Sequence, residues 1–396
     1  MLHTRRGFFG VLAEPGSHTD TAALFAARGH EAYVADLQAR GPEARPPLPP
    51  GVNEIRISSN ENPLGPGQKV LNAIIGKFPE AGRYPFNSTP ADSHLVAAIA
   101  AYHKVTAENV VLGAGSQEIL KNAVRAFTNN ERGLVTATPT FENPTSIVKR
   151  LGHPLKEVPV DAAFKLDVEG MIAASPGSGL VFFNNPNNPT ATVHGAQTVA
   201  DFVARVRKAA PEAVILIDEA YHEYVTDPSY ETAVPVALRT PNVIVSRTFS
   251  KAFGMAGMRI GYAVGQAETI KQLARYKMPY NISVFGVSAA LAALDDAPHI
   301  EAERRRNTEV RAFTVKALAD LGCTSTASEG NFLFVDVRRP AKDFRDACAS
   351  RGVTVARDFP PFEKTHARIS IGTIDEMKKA ADVFRSVLKP VTTAGR

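Results

Sequence analysis

Ser246–Tyr262 reads SRTFSKAFGMAGMRIGY, and its interpretation decides the fold. The run holds one lysine, Lys251, with Thr248 and Ser250 just before it and Arg259 in the Gly- and Met-rich turn that follows. Hydroxyls and a guanidinium can hold a phosphate, and arginine does so in bidentate fashion. A neighbouring cation lowers a lysine below its ordinary pKa of about 10.4, which favours the neutral nucleophile. The glycines let backbone approach a bound group closely. A basic surface loop after a strand would share several of these features, so the neighbouring segments have to decide.

Upstream lies VILIDEAYHEY (Val214–Tyr224), an apolar run ending in Asp218, with Tyr221 three residues on. Further upstream, LVFFNNPNNPT (Leu180–Thr190) is a second apolar run, ending in Asn188, Pro189 and Thr190. Three buried-strand signals thus each deliver a polar group at their carboxyl end, the edge at which open α/β sheets bind ligands. A lysine among phosphate-holding groups at that edge suits a Schiff base with pyridoxal phosphate (PLP).

Outward from this centre, strands alternate with helices. Val110–Leu112 is a short strand, followed by Gly113–Ala114–Gly115–Ser116 and a helix Gln117–Phe127. Strand, glycine turn and helix N-terminus together make an anion site, because free N–H groups and the helix dipole converge there. Further strands are expected at Leu134–Ala137, Leu155–Val160, Leu180–Phe183, Val214–Ile217, Val243–Val245 and Ile260–Val264. Helices are expected at Glu142–Leu151, Asp167–Ala174 and Ala196–Ala209. The pattern predicts an α/β fold, a mainly parallel sheet covered by helices on both faces. From about Val284 helical stretches dominate; NFLFVDV (Asn331–Val337) and Ala367–Ile371 then alternate with helices Ala341–Arg351 and Asp375–Leu388. The expected organisation is an N-terminal extension 1–50, an arm 51–82 belonging to a smaller α+β domain, a large domain 83–285, and the rest of the small domain at 286–396.

The 396 residues, 44% of them hydrophobic, suffice for a large core. Net charge is +5, and no basic run interleaved with aromatics supports nucleic-acid binding. Cys323 and Cys348 lack CxxC spacing, so a disulfide framework is excluded by count. No metal-ligand cluster and no apolar run of membrane-spanning length stand out. Thr4–Phe9 (TRRGFF) looks like a twin-arginine export signal, but its apolar segment is cut at Glu14 and Pro15. Cytoplasmic placement is therefore expected, with export to the periplasm as the alternative. A Pro-rich linker, Arg45–Gly51, separates this extension from the remainder.

The motifs NENP, RYP, GAGS, PTF, NNPT, DEAY, SKAFGMAGMRIGY and RISIGT occur in that order between about Ser58 and Arg385. In this the chain resembles the fold-type I PLP enzymes of aminotransferase class I/II and is most similar to histidinol-phosphate aminotransferases. The resemblance implies a PLP-transferase-like fold. It casts Lys251 as the cofactor's lysine and Asp218 as partner of the pyridine nitrogen, where Asp218 alone would read as a strand-end turn residue. Tyr221 and Asn188 would bond the phenolic oxygen, although Asn188 before a proline also suits a plain turn. Phe141 would stack on the ring, and Gly115, Ser116, Thr248, Ser250 and Arg259 would cup the phosphate. Tyr84 would reach across a homodimer to the partner's cofactor. Arg368 would clamp the substrate α-carboxylate with Asn331 close by, and Arg357 would meet a distal phosphate. Leu64 stands where an aromatic is usual, so the donor is histidinol phosphate or an aromatic or bulky L-amino acid. The acceptor would be a 2-oxo acid, and ping-pong kinetics follow. A phosphothreonine-type decarboxylase and a non-catalytic PLP-fold regulator are the competing readings.

Overall fold

Successive residues of a strand face opposite sides of a sheet, and here both sets are apolar. Val181, Phe183, Ile215, Ile217, Val243 and Val245 enter one buried cluster, while Leu180, Phe182, Val214, Leu216 and Ile244 enter another. A sheet carrying such strands has to be covered on both faces. The computed structural model describes residues 55–84 and 92–388. The twin-arginine motif, the extension 1–50 and its linker lie outside the described residues.

The strands in chain order are β1 (Ile55–Ile57), β2 (Val110–Gly113), β3 (Leu134–Thr138), β4 (Leu155–Pro159), β5 (Leu180–Asn184), β6 (Val214–Asp218), β7 (Val243–Thr248), β8 (Gly261–Gly265), β9 (Thr324–Ser325), β10 (Phe332–Asp336), β11 (Val353–Val355) and β12 (His366–Ser370). Strands β2 to β8 form a seven-stranded sheet in the order β2-β8-β7-β6-β5-β3-β4. The neighbours from β7 to β4 are parallel, and β8 runs antiparallel to both β7 and β2. The reversal has a local cause. Parallel neighbours need a long crossover, usually a helix, whereas the chain between β7 and β8 is the Lys251 loop with a single 3-10 turn, Ala256–Met258.

Amphipathic helices complete the layers. Helix Ala196–Ala209 turns Val199, Phe202, Val203 and Val206 inward on one face of the sheet. On the other face, helix Ser116–Phe127 contributes Ile119, Leu120, Ala123 and Val124. Both follow the spacing of a single apolar helix stripe.

A second core gathers Leu333, Val335, Phe344, Ile369 and Phe384 around the antiparallel sheet β12-β10-β9. It also takes in Ile55 and Ile57 of β1, which pairs in parallel with β11. Two helices beside the expected boundaries pack on the main sheet. Val70 of helix Gln68–Gly76 and Ala289, Ala290 and Ala293 of helix Val284–Leu294 enter the main-sheet core. These helices bury their apolar faces against the large layer, so the arm is split: β1 goes to one core and the helix after it to the other.

Gly254, in the loop after β7, has φ +70, and a Cβ there would lie 2.1 Å from the backbone of Gly65. Gly254→Ala should therefore destabilise the fold by about 2–3 kcal/mol through strain and backbone collision. The check is the denaturant midpoint, and an unchanged midpoint would show that the two loops do not pack this closely.

Candidate active site

Strand register assembles the floor of the site. Asn184 of β5 lies opposite Asp218 of β6, and Asp218 lies opposite Ser246 of β7. All three stand at or near the carboxyl ends of parallel strands, in line with Leu180, Phe182, Val214, Leu216 and Ile244 on one face. A cavity of about 590 Å³ opens there, lined among others by Ser116, Phe141, Asn188, Asp218, Lys251 and Arg368.

Asp218 is 3% exposed, and Ser246 Oγ donates to its Oδ1 at 2.6 Å. Burial pushes the carboxyl up to about 6, against the opposing pull of the Ser246 hydrogen bond and the Lys251 charge. Lys251 Nζ donates to the Ser59 carbonyl at 3.2 Å and lies 5.6 Å from the Tyr221 ring centroid. Burial and then the charge of Arg368 hold its amine down to about 8, with Arg259 adding to the effect. The nucleophile is thus brought toward its neutral form by its surroundings.

At one end of the cavity Gly115 takes φ +76 and leads into helix Ser116–Phe127. A Cβ at Gly115 would come 2.3 Å from Arg259 Nη2, so glycine leaves room for that guanidinium at the helix N-terminus. Arg259 Nη1 donates to the Ala256 carbonyl at 2.9 Å and to Ser250 Oγ at 3.4 Å. Thr248 Oγ1 donates to Ser250 Oγ at 3.0 Å. Gly115, Ser116, Thr248, Ser250 and Arg259 therefore converge, and helix N–H groups, hydroxyls and a cation can hold a phosphate. Gly261 makes the approach possible, because a Cβ on it would strike Ser116 N at 2.3 Å.

At the other end, Tyr221 Oη accepts from Asn60 Nδ2 at 3.0 Å and from Asn188 Nδ2 at 3.3 Å. Burial pushes this phenol up to about 12, against the lowering effect of Arg368. Arg368 Nη1 donates to Asn188 Oδ1 and Nη2 to the Ser58 carbonyl, both at 2.7 Å. Its Nε is buried with no partner among the described residues. The guanidinium lies 4.7 Å from the Phe359 ring centroid, and burial pulls its pKa down to about 10. An anion in the cavity would relieve that penalty. Arg357 lines the mouth, with its guanidinium carbon 4.4 Å from the Phe359 centroid and an ion pair to Glu142.

Asn331, Leu64 and Tyr84 are not in the lining of this cavity, and for Tyr84 the expected site is the partner's. Asn331 is buried and is not in the lining; its Nδ2 donates to the carbonyls of Asn60 and Glu61, in the loop that also holds the Ser58 carbonyl bound by Arg368. Leu64 is 41% exposed outside the lining. Tyr84 is 75% exposed, with its ring 4.9 Å from that of Tyr280, and does not line the cavity of its own chain. Sequence reading missed Asn60, Ser246, Phe359 and Glu142. Asn60 carried a signal, since it opens the NENP loop and takes φ +54, a conformation asparagine tolerates. Glu142 carried none, because its partner lies far along the chain.

Among the described residues no group of His, Cys, Asp and Glu could hold a metal ion, and no helix is long and apolar enough to cross a membrane. Amine-directed labelling of the cofactor-free protein near pH 8 should mark Lys251 ahead of exposed lysines. Arg368→Ala removes a cation that lowers Lys251, so the pH midpoint of that labelling should rise. A midpoint that stays put would show that Arg368 does not act on the amine.

Comparison with known proteins converges on one family. Residues 52–384 match the family model described as aminotransferase class I and II. A histidinol-phosphate aminotransferase of Moorella thermoacetica is 34% identical over 336 residues, covering 84% of this chain and 85% of that protein. One from Akkermansia muciniphila is 35% identical, covering 84% of this chain and 90% of its own length. The crystal structure of histidinol-phosphate aminotransferase from Sinorhizobium meliloti in complex with pyridoxal-5'-phosphate superposes with a TM-score of 0.78 at 28% identity. It covers 85% of this chain and 91% of that one.

Proposed function

The chain belongs to the aminotransferase class I and II family and is a PLP-dependent aminotransferase; we propose that its donor is histidinol phosphate or an aromatic or bulky L-amino acid and its acceptor a 2-oxo acid. One observation carries the reading of the site: an amine held near 8, a buried carboxylate and a glycine-lined phosphate cradle open into the same cavity.

The residues present fit the cofactor. Gly115 and Ser116 N–H groups, Thr248, Ser250 and Arg259 would hold its phosphate, and the cradle that a Gly115 Cβ would fill supports this. Phe141 would cover the ring, and Asn188 and Tyr221 would bond its phenolic oxygen. PLP when bound supplies an aldehyde for the donor amine and a conjugated ring that delocalises the electron pair left when the α-carbon loses its proton.

The protein's own groups do the rest. Asp218, ionised beside a cationic partner, would keep the ring nitrogen protonated, and Ser246 supports that ionised form by donating to it. Lys251 Nζ would take the α-proton as general base and return it as general acid, for which a pKa near the working pH is the effective choice. The unpartnered Nε of Arg368 supports a carboxylate clamp at that arginine. Arg357 would face the far end of the donor. A homodimer with Tyr84 completing the partner's site is supported by the exposure of Tyr84 and its absence from the lining of its own cavity. The break at Glu14 and Pro15 favours cytoplasmic placement.

Donor panels with 2-oxoglutarate should yield a keto acid from the donor, and carbon dioxide release would favour decarboxylation instead. Lys251→Ala should lose transfer by about 10⁴-fold or more while the phosphate cradle still retains PLP; transfer at the wild-type rate by that variant sinks the assignment. For Tyr84, mixing Tyr84→Phe with Lys251→Ala chains should restore activity, since one site of the mixed dimer carries neither lesion. Absence of any recovery on mixing would mean that Tyr84 acts within its own chain or not at all.

A further inference from the structure

Tyr221 lines the cavity, and its Oη is reached by two side-chain amides, Asn60 Nδ2 at 3.0 Å and Asn188 Nδ2 at 3.3 Å. Which atom of each amide faces the phenol is decided one step further out. Arg368 Nη1 donates to Asn188 Oδ1 at 2.7 Å. A guanidinium has donors and no acceptor, so Asn188 has to turn its oxygen to Arg368 and its nitrogen to Tyr221. Ser370 fixes Asn60 in the same manner. The Asn60 backbone N–H, also a donor only, donates to Ser370 Oγ at 2.8 Å. The Ser370 proton then goes to Asn60 Oδ1, likewise at 2.8 Å, and this turns Asn60 Nδ2 toward Tyr221.

The surrounding loop holds Asn60 in place for this bond. The residue takes φ +54, a left-handed conformation that asparagine tolerates, and its carbonyl accepts from Asn331 Nδ2 at 3.1 Å. The Phe332 ring meets that of Tyr221 edge-on, with centroids 4.9 Å apart. Asn60, Asn188, Tyr221 and Ser370 are all buried, so their polar atoms have to be met within the protein or the cavity. A phenol oxygen has one proton and two lone pairs. The two amides engage both lone pairs of Tyr221, and among the described residues none accepts its proton. That proton is left to the cavity.

We propose that Asn60 is a positioning residue for the transfer reaction: with Ser370 behind it, it commits the Tyr221 hydroxyl to donating into the cavity, and so to the ionised phenolic oxygen of PLP. This rests on the aminotransferase reading. The phenolic oxygen shares a proton with the nitrogen through which the cofactor joins Lys251. Donation from Tyr221 stabilises the oxygen without that proton, so the nitrogen releases it at lower pH. An acceptor in place of Asn60 Nδ2 would draw the Tyr221 proton away and undo the effect.

The test is the pH titration of the cofactor absorbance in the PLP-loaded enzyme with no donor added. Asn60→Asp sets an acceptor where Nδ2 stands, and Asn60→Gly removes the amide and frees the hydroxyl to turn; both residues suit a positive φ. Each variant should raise the midpoint, Asn60→Asp by about one pH unit, as expected for losing a hydrogen bond to an anion. Tyr221→Phe alone should raise it as well. The Asp charge raises the midpoint by itself, so both Asn60 variants are repeated with Tyr221→Phe, which has no proton to direct. In that background the Asn60→Gly shift should vanish and the Asn60→Asp shift should shrink, which measures the coupling of the two residues. A purely structural role for Asn60 would lower the denaturant midpoint or the PLP affinity alike in both backgrounds and leave no coupling. Shifts of equal size with and without the Tyr221 hydroxyl, or an unmoved midpoint in Asn60→Asp or in Tyr221→Phe, overturn the proposal alone. A wild type that shows no absorbance of a lysine-bound cofactor when given PLP overturns the aminotransferase reading and this proposal with it.

Discussion

Asp218 sits 3% exposed at the end of a strand that is buried on both faces, where an ionised carboxylate carries a heavy desolvation penalty. The penalty is offset by neighbours that strand register delivers. Ser246 stands opposite it on β7 and donates a short hydrogen bond, and Lys251 leaves the same strand three residues beyond Thr248. Lys251 is in turn held low by burial and by Arg368, so carboxylate and amine are each displaced toward neutral pH, from opposite sides. A pair of titrating groups whose environments shift them this way is what proton transfer at an ordinary pH requires.

The register on which this depends is secured on the other face of the sheet. Glu219, next to Asp218, projects away from the cavity and accepts from Arg247 Nε at 2.8 Å. Arg247, next to Ser246, also reaches Glu223 at 3.2 Å and the Thr232 hydroxyl at 2.9 Å. A buried ion pair of this kind contributes little net stability, but leaving either partner alone is costly. Slipping β6 against β7 by one residue would exchange the faces of Asp218 and Glu219 and break both arrangements at once. The adjacent acids of DEAY thus serve two different environments.

The donor end of the cavity is organised by a ring of hydrogen bonds that joins segments distant in the chain. Arg368 donates to Asn188, Asn188 and Asn60 both donate to Tyr221, and Ser370 donates to Asn60 while accepting from the Asn60 backbone. Arg368 and Ser370 lie on one face of β12, two residues apart, which is the spacing a strand needs to present both to the same loop. Every polar side chain in that ring is buried, and each is placed by another.

Much of this was determined by sequence alone. Apolar runs broken by helix-period segments give an α/β sheet covered on both faces, because the alternation and its lengths are local properties of the chain. The polar residue after each run, Asn188 after β5, Asp218 on β6 and Thr248 on β7, marks the ligand-binding edge, and the glycine before Ser116 marks the phosphate cradle, since φ +76 is a local demand. The pairing of distant segments was settled by tertiary structure. It turned β8 antiparallel, sent β1 and helix Gln68–Gly76 to different cores, bound Asn331 to the carbonyl of Asn60, and set Glu142 against Arg357. A local pattern records how a residue is buried and with what period. Which residue buries it, and which charge it meets, depends on contacts between segments far apart in the chain, and no single segment encodes those.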